Sequence, residues 1–280
     1  MNGILIVNKR KNMTSRDVVD IACKKLNTRK IGHTGTLDPL AEGVLVLAVN
    51  KALKLVDDIT ALNKEYIAEV TLGIKTDTLD ITGNVLEERK EHIKKEDLIN
   101  VLNSFVGPYH MRVPIYSAVK VNGKKLYEYA REGKEVELPT KDVQINSIEL
   151  ISFENNKFSF KCNVSKGTYI RSLINDICTK LNIIGTMSNL KRTKQGKFDI
   201  KDSIDIDNIN EDKIVPMEKV IDLPKIEVDE YLLTRISHGN KLENRYNLPK
   251  LAFFYKEKLI AIYITDPGDS KKVKPKTVFI

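Results

Sequence analysis

GHTGTLDPLAEGVL, residues 32–45, is the stretch of this chain with the most informative residue pattern. It contains Asp38, which is followed by Pro39 and surrounded by glycines at positions 32, 35 and 43. Because proline disfavours helical geometry at the residue before it, Asp38 is predicted to lie in an extended segment or a turn. The glycines permit sharp or left-handed backbone and let a ligand come close. This is one way to hold a single acid in a cleft, although Asp-Pro alone is also a common surface turn.

Three later segments bear on the choice between these interpretations. They are KEYIAEVTLGIKTDTLDITG (64–83), YSAVKVNGKKLYEYAREG (116–133) and SKGTYIRSLINDI (165–177). Together with residues 32–45 they resemble, in the same order, the motifs of the bacterial tRNA pseudouridine synthase B family, and the matches span most of the first 195 residues. The resemblance implies an isomerase that converts uridine to pseudouridine at position 55 in the T loop of tRNA.

Composition agrees with a globular protein and excludes several other classes. The chain has 280 residues, enough for one large domain and a small one, and 41% of them are apolar and 30% charged. The apolar runs are far shorter than the ~20 residues of a membrane helix. We find no signal peptide, so the protein is predicted to be cytoplasmic and not bound to a membrane.

The sequence also predicts no metal and no cofactor. Three widely spaced cysteines and four histidines without HxH or HxxxH spacing do not form a zinc or disulfide pattern. The nucleotide-binding patterns GxxxxGK[ST] and GxGxxG are absent from the sequence. Conversion of uridine to pseudouridine involves no redox change and no outside energy, so it does not need such a group.

Charge is unevenly distributed along the chain, whose net charge is +8. Residues 157–197 carry nine Lys or Arg against one acid, and residues 1–33 carry eight against two. Residues 199–230 carry four Lys or Arg against eleven acids. Such segregation indicates a polyanionic partner on one face, here the T arm of tRNA, and binding that weakens as salt rises. The family resemblance implies no protein partner, and a monomer is expected.

Strands and helices intermingle without a strict βαβ rhythm, which predicts an α+β fold with a mixed, largely antiparallel sheet. The resemblance implies a pseudouridine synthase catalytic domain over residues 1–225, with an RNA-gripping insertion around 116–145. Residues 226–280 resemble a small PUA-like RNA-binding β-barrel. Further element predictions are a helix that ends at Gly107-Pro108, hairpin turns at Asn122-Gly123 and Glu154-Asn155-Asn156, and an acidic linker or decoration over 199–212.

Three residues are candidates for catalysis. The reaction breaks the bond from ribose C1′ to uracil N1 and joins C5 to C1′, so it requires a carboxylate facing an everted nucleotide. The resemblance assigns this role to Asp38, which could attack C1′, attack uracil C6 or take a proton from C2′. Arg171 corresponds to the family's active-site arginine, whose planar fork can hold Asp38 in a bidentate pair. Tyr66 corresponds to the tyrosine expected to stack on the flipped uracil, where its hydroxyl could assist proton transfer.

The resemblance also suggests residues that contact RNA. His33 corresponds to a histidine that enters the T loop, and Tyr169 is expected to pack beneath the pocket. Lys9 matches a family lysine, but Arg10 follows it where the family usually has proline. The remaining candidates are Leu190, as an apolar wall of the pocket, and Lys191 and Arg192, as contacts to phosphates.

Three alternatives remain open at the level of sequence. A guide-RNA-dependent pseudouridine synthase would share the Asp motif and a PUA-like tail. A non-catalytic RNA-binding or tRNA-folding protein would keep the site as a relict. A hydrolase of the glycosidic bond would normally need a second acid, and the sequence identifies none.

Overall fold

The computed structural model describes residues 1–154 and 156–280. The strands are β1 Gly3–Lys9, β2 Ile31–His33, β3 Glu42–Val49, β4 Lys64–Leu72, β5 Ile74–Thr76, β6 Val85–Glu88, β7 Gly107–Arg112, β8 Lys120–Val121, β9 Lys124–Lys125, β10 Thr140–Glu154, β11 Lys157–Val164, β12 Gly185–Gln195, β13 Phe198–Asp199, β14 Ile204–Asp205, β15 Val215–Pro216, β16 Lys225–Glu227, β17 Leu242–Glu243, β18 Lys250–Tyr255, β19 Lys258–Asp266 and β20 Asp269–Val278. The α-helices are α1 Ser15–Lys25, α2 Val56–Thr60, α3 Lys95–Asn103, α4 Leu126–Arg131, α5 Ile170–Lys180, α6 Met217–Val220 and α7 Glu230–Ser237.

Eleven strands form one large sheet. Its main path runs β14-β1-β3-β12-β4-β11-β10-β7, and β2, β13 and β15 pair with strands of this path. Along the path, β1 with β14 and β3 with β12 are parallel, and the other described pairs are antiparallel. The predicted α+β fold with a mixed, largely antiparallel sheet is confirmed.

The core of this sheet follows from alternation along β4. Tyr66, Ala68 and Val70 lie on one face of the strand and are buried, because successive side chains of a strand point to opposite faces. The buried face of α5, including Leu173 and Ile177, packs in the same apolar cluster. The strand and the helix that carry candidate catalytic residues are therefore fixed to each other by a common core.

The C-terminal residues form a second sheet, in the order β16-β18-β19-β20-β17, together with α7. This curled half-barrel confirms the PUA-like fold predicted for the tail. Ala252 and Phe254 on one face of β18 pack in a cluster with β3, whereas Leu251 and Phe253 on the other face pack with α7. The domain boundary after residue 225 stays a prediction, since residues from both sides share the first of these clusters.

Two element predictions are wrong, and a third includes a residue outside those that the structure describes. The helix predicted to end at Gly107-Pro108 ends at Asn103, and Gly107 begins an edge strand with φ of +121°. The acidic span 199–212 is no linker, because β14 pairs with β1 and the side chains of Ile206 and Ile209 are buried against α1. The hairpin joining β10 and β11 is present, but Asn155 of its predicted turn lies outside the described residues.

Candidate active site

Residues 34–41, which connect β2 to β3, form the loop that carries Asp38. The backbone N–H of Ala41 donates to the carbonyl of Asp38 at 3.0 Å, so Asp38 begins a turn as predicted. Ser15, at the start of α1, accepts from the N–H of Leu37 at 2.9 Å and donates to its carbonyl at 3.2 Å. Lys9 Nζ donates to the carbonyl of Pro39 at 3.3 Å. The backbone on either side of Asp38 is thus held by β1 and α1.

The opposite side of the loop is held by β12. Arg192 donates from Nη2 to the carbonyl of Gly35 at 3.0 Å and from Nε to that of Val44 at 2.7 Å. Gln195 Nε2 donates to the carbonyl of Thr34 at 3.0 Å. Gly43 has φ of +104°, and a Cβ there would lie 2.2 Å from the carbonyl oxygen of Arg192. Of the glycines at positions 32, 35 and 43, only Gly43 has a positive φ.

Asp38 and Arg171 form the centre of the site. Arg171 donates from Nε to Asp38 Oδ2 at 2.8 Å and from Nη2 to Oδ1 at 3.1 Å, which is the predicted bidentate geometry. The same guanidinium donates to the carbonyls of Thr78 and Tyr116, both at 3.0 Å. The Arg171 side chain is 5% exposed, whereas that of Asp38 is 34% exposed. The cation is therefore buried, and the carboxylate remains reachable.

This pair opens onto a cleft of about 400 Å³. Tyr66, Tyr169 and Leu190 line the cleft beside Asp38 and Arg171. Tyr66 comes from β4, Leu190 from β12, and Tyr169 precedes the first turn of α5. Burial raises the pKa of Tyr169, so its hydroxyl is protonated at neutral pH. Five predicted residues from distant parts of the chain thus meet around one cavity with an acid at its wall.

The other four predicted residues have different surroundings. Lys9 is fully buried and donates to the carbonyls of Arg10, Met13 and Pro39. Arg192 lines the cleft but is 1% exposed, with its guanidinium directed to backbone carbonyls. The prediction that Arg192 contacts phosphates needs correction, because in this arrangement it braces the loop instead.

His33 and Lys191 lie nearer the surface. Burial and the nearby charges of Arg192 and Arg16 lower the pKa of His33, whose ring is therefore neutral at neutral pH. The side chain of Lys191 is 41% exposed, and its Nζ lies 3.9 Å from a carboxylate oxygen of Glu42. Its charge is available to a partner because an exposed pair at this distance is weak.

Sequence reasoning missed four residues of the site. Thr78 and Tyr116 contribute backbone carbonyls, which carry no signal in residue identity. Gln195 is buried and braces the loop. Lys64 lines the cleft and was recognisable, because it occupies a buried position in the alternation of β4, where lysine is rare.

No group of three or more His, Cys, Asp or Glu side chains in residues 1–154 and 156–280 is arranged to hold a metal ion. Over the same residues, every helix is too short or too polar to cross a bilayer.

Known proteins resemble this chain over most of its length. Residues 23–170 match the model of the TruB family pseudouridylate synthase (N terminal domain). Curated relatives named tRNA pseudouridine synthase B include one from Caldicellulosiruptor saccharolyticus, 46% identical over 88% of this chain and 85% of the relative. Another, from Caldanaerobacter subterraneus, is 42% identical over 100% of this chain and 99% of the relative.

Solved structures show the same fold. A chain from the crystal structure of a Cbf5-Nop10-Gar1 complex superposes with a TM-score of 0.75 at 26% identity, over 99% of this chain and 85% of that chain. A chain from the structure of an H/ACA RNP bound to a substrate RNA containing 2'-deoxyuridine gives 0.73 at 25% identity, with the same coverage. The family model matches more than half of this chain, and the relatives above are more than 40% identical to it along nearly all of its length. The chain therefore belongs to the tRNA pseudouridine synthase B (TruB) family.

Proposed function

We propose that this protein converts uridine 55 in the T loop of tRNA to pseudouridine, with Asp38 as the catalytic carboxylate. The observation that carries the proposal is the bidentate pair of Asp38 and Arg171 at the wall of a cleft that also contains Tyr66. Similarity to relatives named tRNA pseudouridine synthase B supports tRNA as the substrate.

Asp38 is arranged to act on the ribose or the base. Both carboxylate oxygens accept from Arg171, which fixes the plane of the carboxylate without covering it. An acid held in this way reaches C1′, C6 or the C2′ proton of an everted uridine with little rearrangement. Each of the three possible first steps requires the ionised carboxylate.

The lining of the cleft suits a flipped pyrimidine. The ring of Tyr66 provides a stacking platform, and Leu190 provides an apolar wall. Base–aromatic stacking contributes ~1–3 kcal/mol per base, which offsets part of the few kcal/mol that flipping costs. Tyr169 is more than half buried beside Asp38 and supports the pocket from the start of α5.

RNA would contact the face around this cleft. Lys191 is exposed near the cleft, and His33 lies on β2 at the start of the loop that carries Asp38. Residues 116–145, with the β8–β9 hairpin and α4, would grip the T arm from the other side of the cleft. The basic segments 1–33 and 157–197 supply the positive field that attracts phosphates.

The proposal extends to the organisation and setting of the protein. Residues 1–225 form the catalytic domain, and the PUA-like residues 226–280 add contacts to another part of the tRNA. The protein acts as a monomer in the cytoplasm, without a protein partner or a guide RNA. It uses no cofactor.

The test is a tritium-release or mass-based assay of the purified protein on unmodified tRNA, with the modified position mapped. We expect pseudouridine at position 55 without any added protein or RNA. Asp38→Asn keeps the shape of the side chain and should lower turnover by at least ~10³-fold. It should change tRNA affinity by less than about threefold, because phosphate contacts dominate binding.

Each alternative predicts a different result. Modification that requires an added guide RNA would indicate the guide-dependent class. Binding without turnover in the wild-type protein would indicate an RNA-binding or folding protein. Full turnover by Asp38→Asn would remove Asp38 from catalysis.

A further inference from the structure

Lys64 is a buried cation at the wall of the catalytic cleft. Lys64 is 6% exposed, and its Nζ donates to the carbonyl of Thr60 at 2.5 Å and to that of Leu62 at 2.7 Å. An ammonium group has three donors, so one remains after these two bonds. Both Lys64 and Thr60 belong to the lining of the cleft.

No carboxylate in residues 1–154 or 156–280 forms an ion pair with Lys64. The neighbouring acid, Glu65, points to the opposite face of β4 and pairs there with Lys161 at 3.1 Å. Burial, together with the charges of Arg192 and Lys166, lowers the pKa of Lys64 to about 8. A buried cation beside two other cations is costly unless an anion approaches it.

The position of Lys64 relative to Tyr66 suggests which anion this is. The two residues are two positions apart on β4, so they share a face and are separated by about 7 Å along the strand. The phosphate that flanks a nucleotide is one sugar away from its base, a separation of the same order. A base stacked on Tyr66 would therefore bring a backbone phosphate towards the ammonium of Lys64.

We propose that Lys64, with Lys166 between the cleft-lining residues Ser165 and Gly167, forms a subsite for an RNA backbone phosphate adjacent to the flipped nucleotide. The proposal rests on the proposed function for the identity of the polyanion. The phosphate would accept from the free donor of Lys64 and offset the repulsion among the three cations. Lys64 would thus be a substrate-binding residue that positions the nucleotide against Asp38.

The experiment is a double-mutant cycle between the protein and its RNA. A T-arm stem-loop is made with a single neutral methylphosphonate linkage, placed in turn at the phosphates on either side of the target uridine. Affinities are measured for Asp38→Asn, which prevents turnover during the titration, and for the same protein with Lys64→Met. In the protein with Lys64, we expect one of these linkages to weaken binding about tenfold, as for the loss of a charge-assisted hydrogen bond. In the protein with Lys64→Met, the same linkage should weaken binding less than twofold.

Two further variants separate a phosphate contact from a structural role. Lys64 also binds carbonyls at and just after the end of α2, so its loss lowers stability whether or not it contacts RNA, and melting temperature alone is uninformative. Lys64→Arg should keep the coupling to the same linkage. Lys161→Met, on the neighbouring strand and already paired with Glu65, should show no coupling to either linkage.

The proposal is overturned if each linkage costs the same affinity with and without Lys64. If Lys64→Met does not fold, the linkage series on the protein with Lys64 decides: no loss at either phosphate rejects the subsite. Pseudouridine formation by the wild-type protein is assayed separately. An absence of product there would reject the proposed function, whereas the binding cycle would still test the contact.

Discussion

Arg171 connects the chemistry of the site to the surrounding backbone. Its guanidinium makes four hydrogen bonds, two to the carboxylate of Asp38 and one each to the carbonyls of Thr78 and Tyr116. A planar fork can satisfy acceptors in several directions at once, whereas an ammonium is a compact point charge. Arg171 lies in the first turn of α5, where the positive end of the helix dipole disfavours a cation. The ion pair with Asp38 compensates for this unfavourable interaction.

Arg171→Lys should therefore reduce activity although it keeps the charge. We expect kcat to fall by ~10–100-fold, because a carboxylate displaced by about 1 Å loses productive geometry. The free energy of unfolding should fall by about 1–3 kcal/mol, since the carbonyls of Thr78 and Tyr116 lose a charged donor. Single-turnover kinetics and urea unfolding measure the two effects. Full turnover by this variant would show that the bidentate geometry is not needed.

Lys9 is another buried cation near the loop. Burial outweighs the attraction of Asp38 and lowers its pKa from 10.5 to about 8. Between these two pH values the unfolded chain binds more protons at this residue than the folded protein does, so stability must rise with pH there. Below pH 8 the residue is charged in both states, and the cost of burying the cation is present in full.

Comparison of wild type with Lys9→Met should reveal this dependence. The stability advantage of wild type should grow between pH 8 and 10, by at most ~1.4 kcal/mol per pH unit. Lys64 has a similarly lowered pKa but is present in both proteins, so its contribution cancels. Urea unfolding at pH 7.5 and 9.5 provides the measurement. An advantage that stays constant or shrinks would mean that Lys9 is not buried as a cation.

At the scale of elements, the site depends on the parallel contact between β3 and β12. Only Lys191 with Glu42 and Arg192 with Gly43 are paired across it. This short contact brings the carbonyl of Arg192 against Gly43 and lets its guanidinium reach the loop that carries Asp38. The close approach is possible because Gly43 has no Cβ.

Gly43→Ala tests this contact. A Cβ at 2.2 Å from the Arg192 carbonyl, on backbone with φ of +104°, should lower the free energy of unfolding by at least ~2 kcal/mol. Gly35→Ala, in the adjoining loop, is the matched control, because its Cβ would meet Arg192 at an ordinary 3.5 Å. The control should cost less than about 1 kcal/mol in a chemical denaturation series. Equal costs at the two positions would show that β3 and β12 can separate freely.

Element prediction succeeded where periodicity is regular and failed where tertiary contacts decide. The alternation in β4 and the Asn122-Gly123 turn are local signals, and both predicted their elements correctly. Residues 199–212 are rich in acids, which suggested a linker, but the buried Ile206 and Ile209 anchor them to the sheet. Arg10 also binds Asp205 and Asp207, a contact across about 200 positions that composition does not reveal.

At the scale of the whole molecule, the two sheets share one apolar cluster. Ala252, Phe254 and Ile262 of the C-terminal sheet pack with residues of β1 and β3. Around this cluster, Asp58 accepts from Lys250 and Lys276, both at 2.5 Å. The PUA-like sheet therefore completes the core of the first sheet, besides any role in RNA binding.

We expect the protein to unfold as one cooperative unit. In scanning calorimetry the calorimetric and van't Hoff enthalpies should agree, because neither sheet can keep its side of the shared cluster buried alone. Residues 1–225 expressed alone should melt at a lower temperature than the same residues in the full chain. Two separate transitions in the full chain would mean that the shared cluster contributes little.

The sequence by itself determined the family, the class of fold and the identities of the catalytic candidates, because these depend on motifs and on periodicities a few residues long. The tertiary structure decided which of those residues meet. Asp38 and Arg171 are 133 positions apart, and they meet because Leu37 and Ala41, on either side of Asp38, share a core with α5. It also decided that Lys9 and Arg192 brace the loop and that Lys64 faces the cleft, since burial depends on contacts between distant segments.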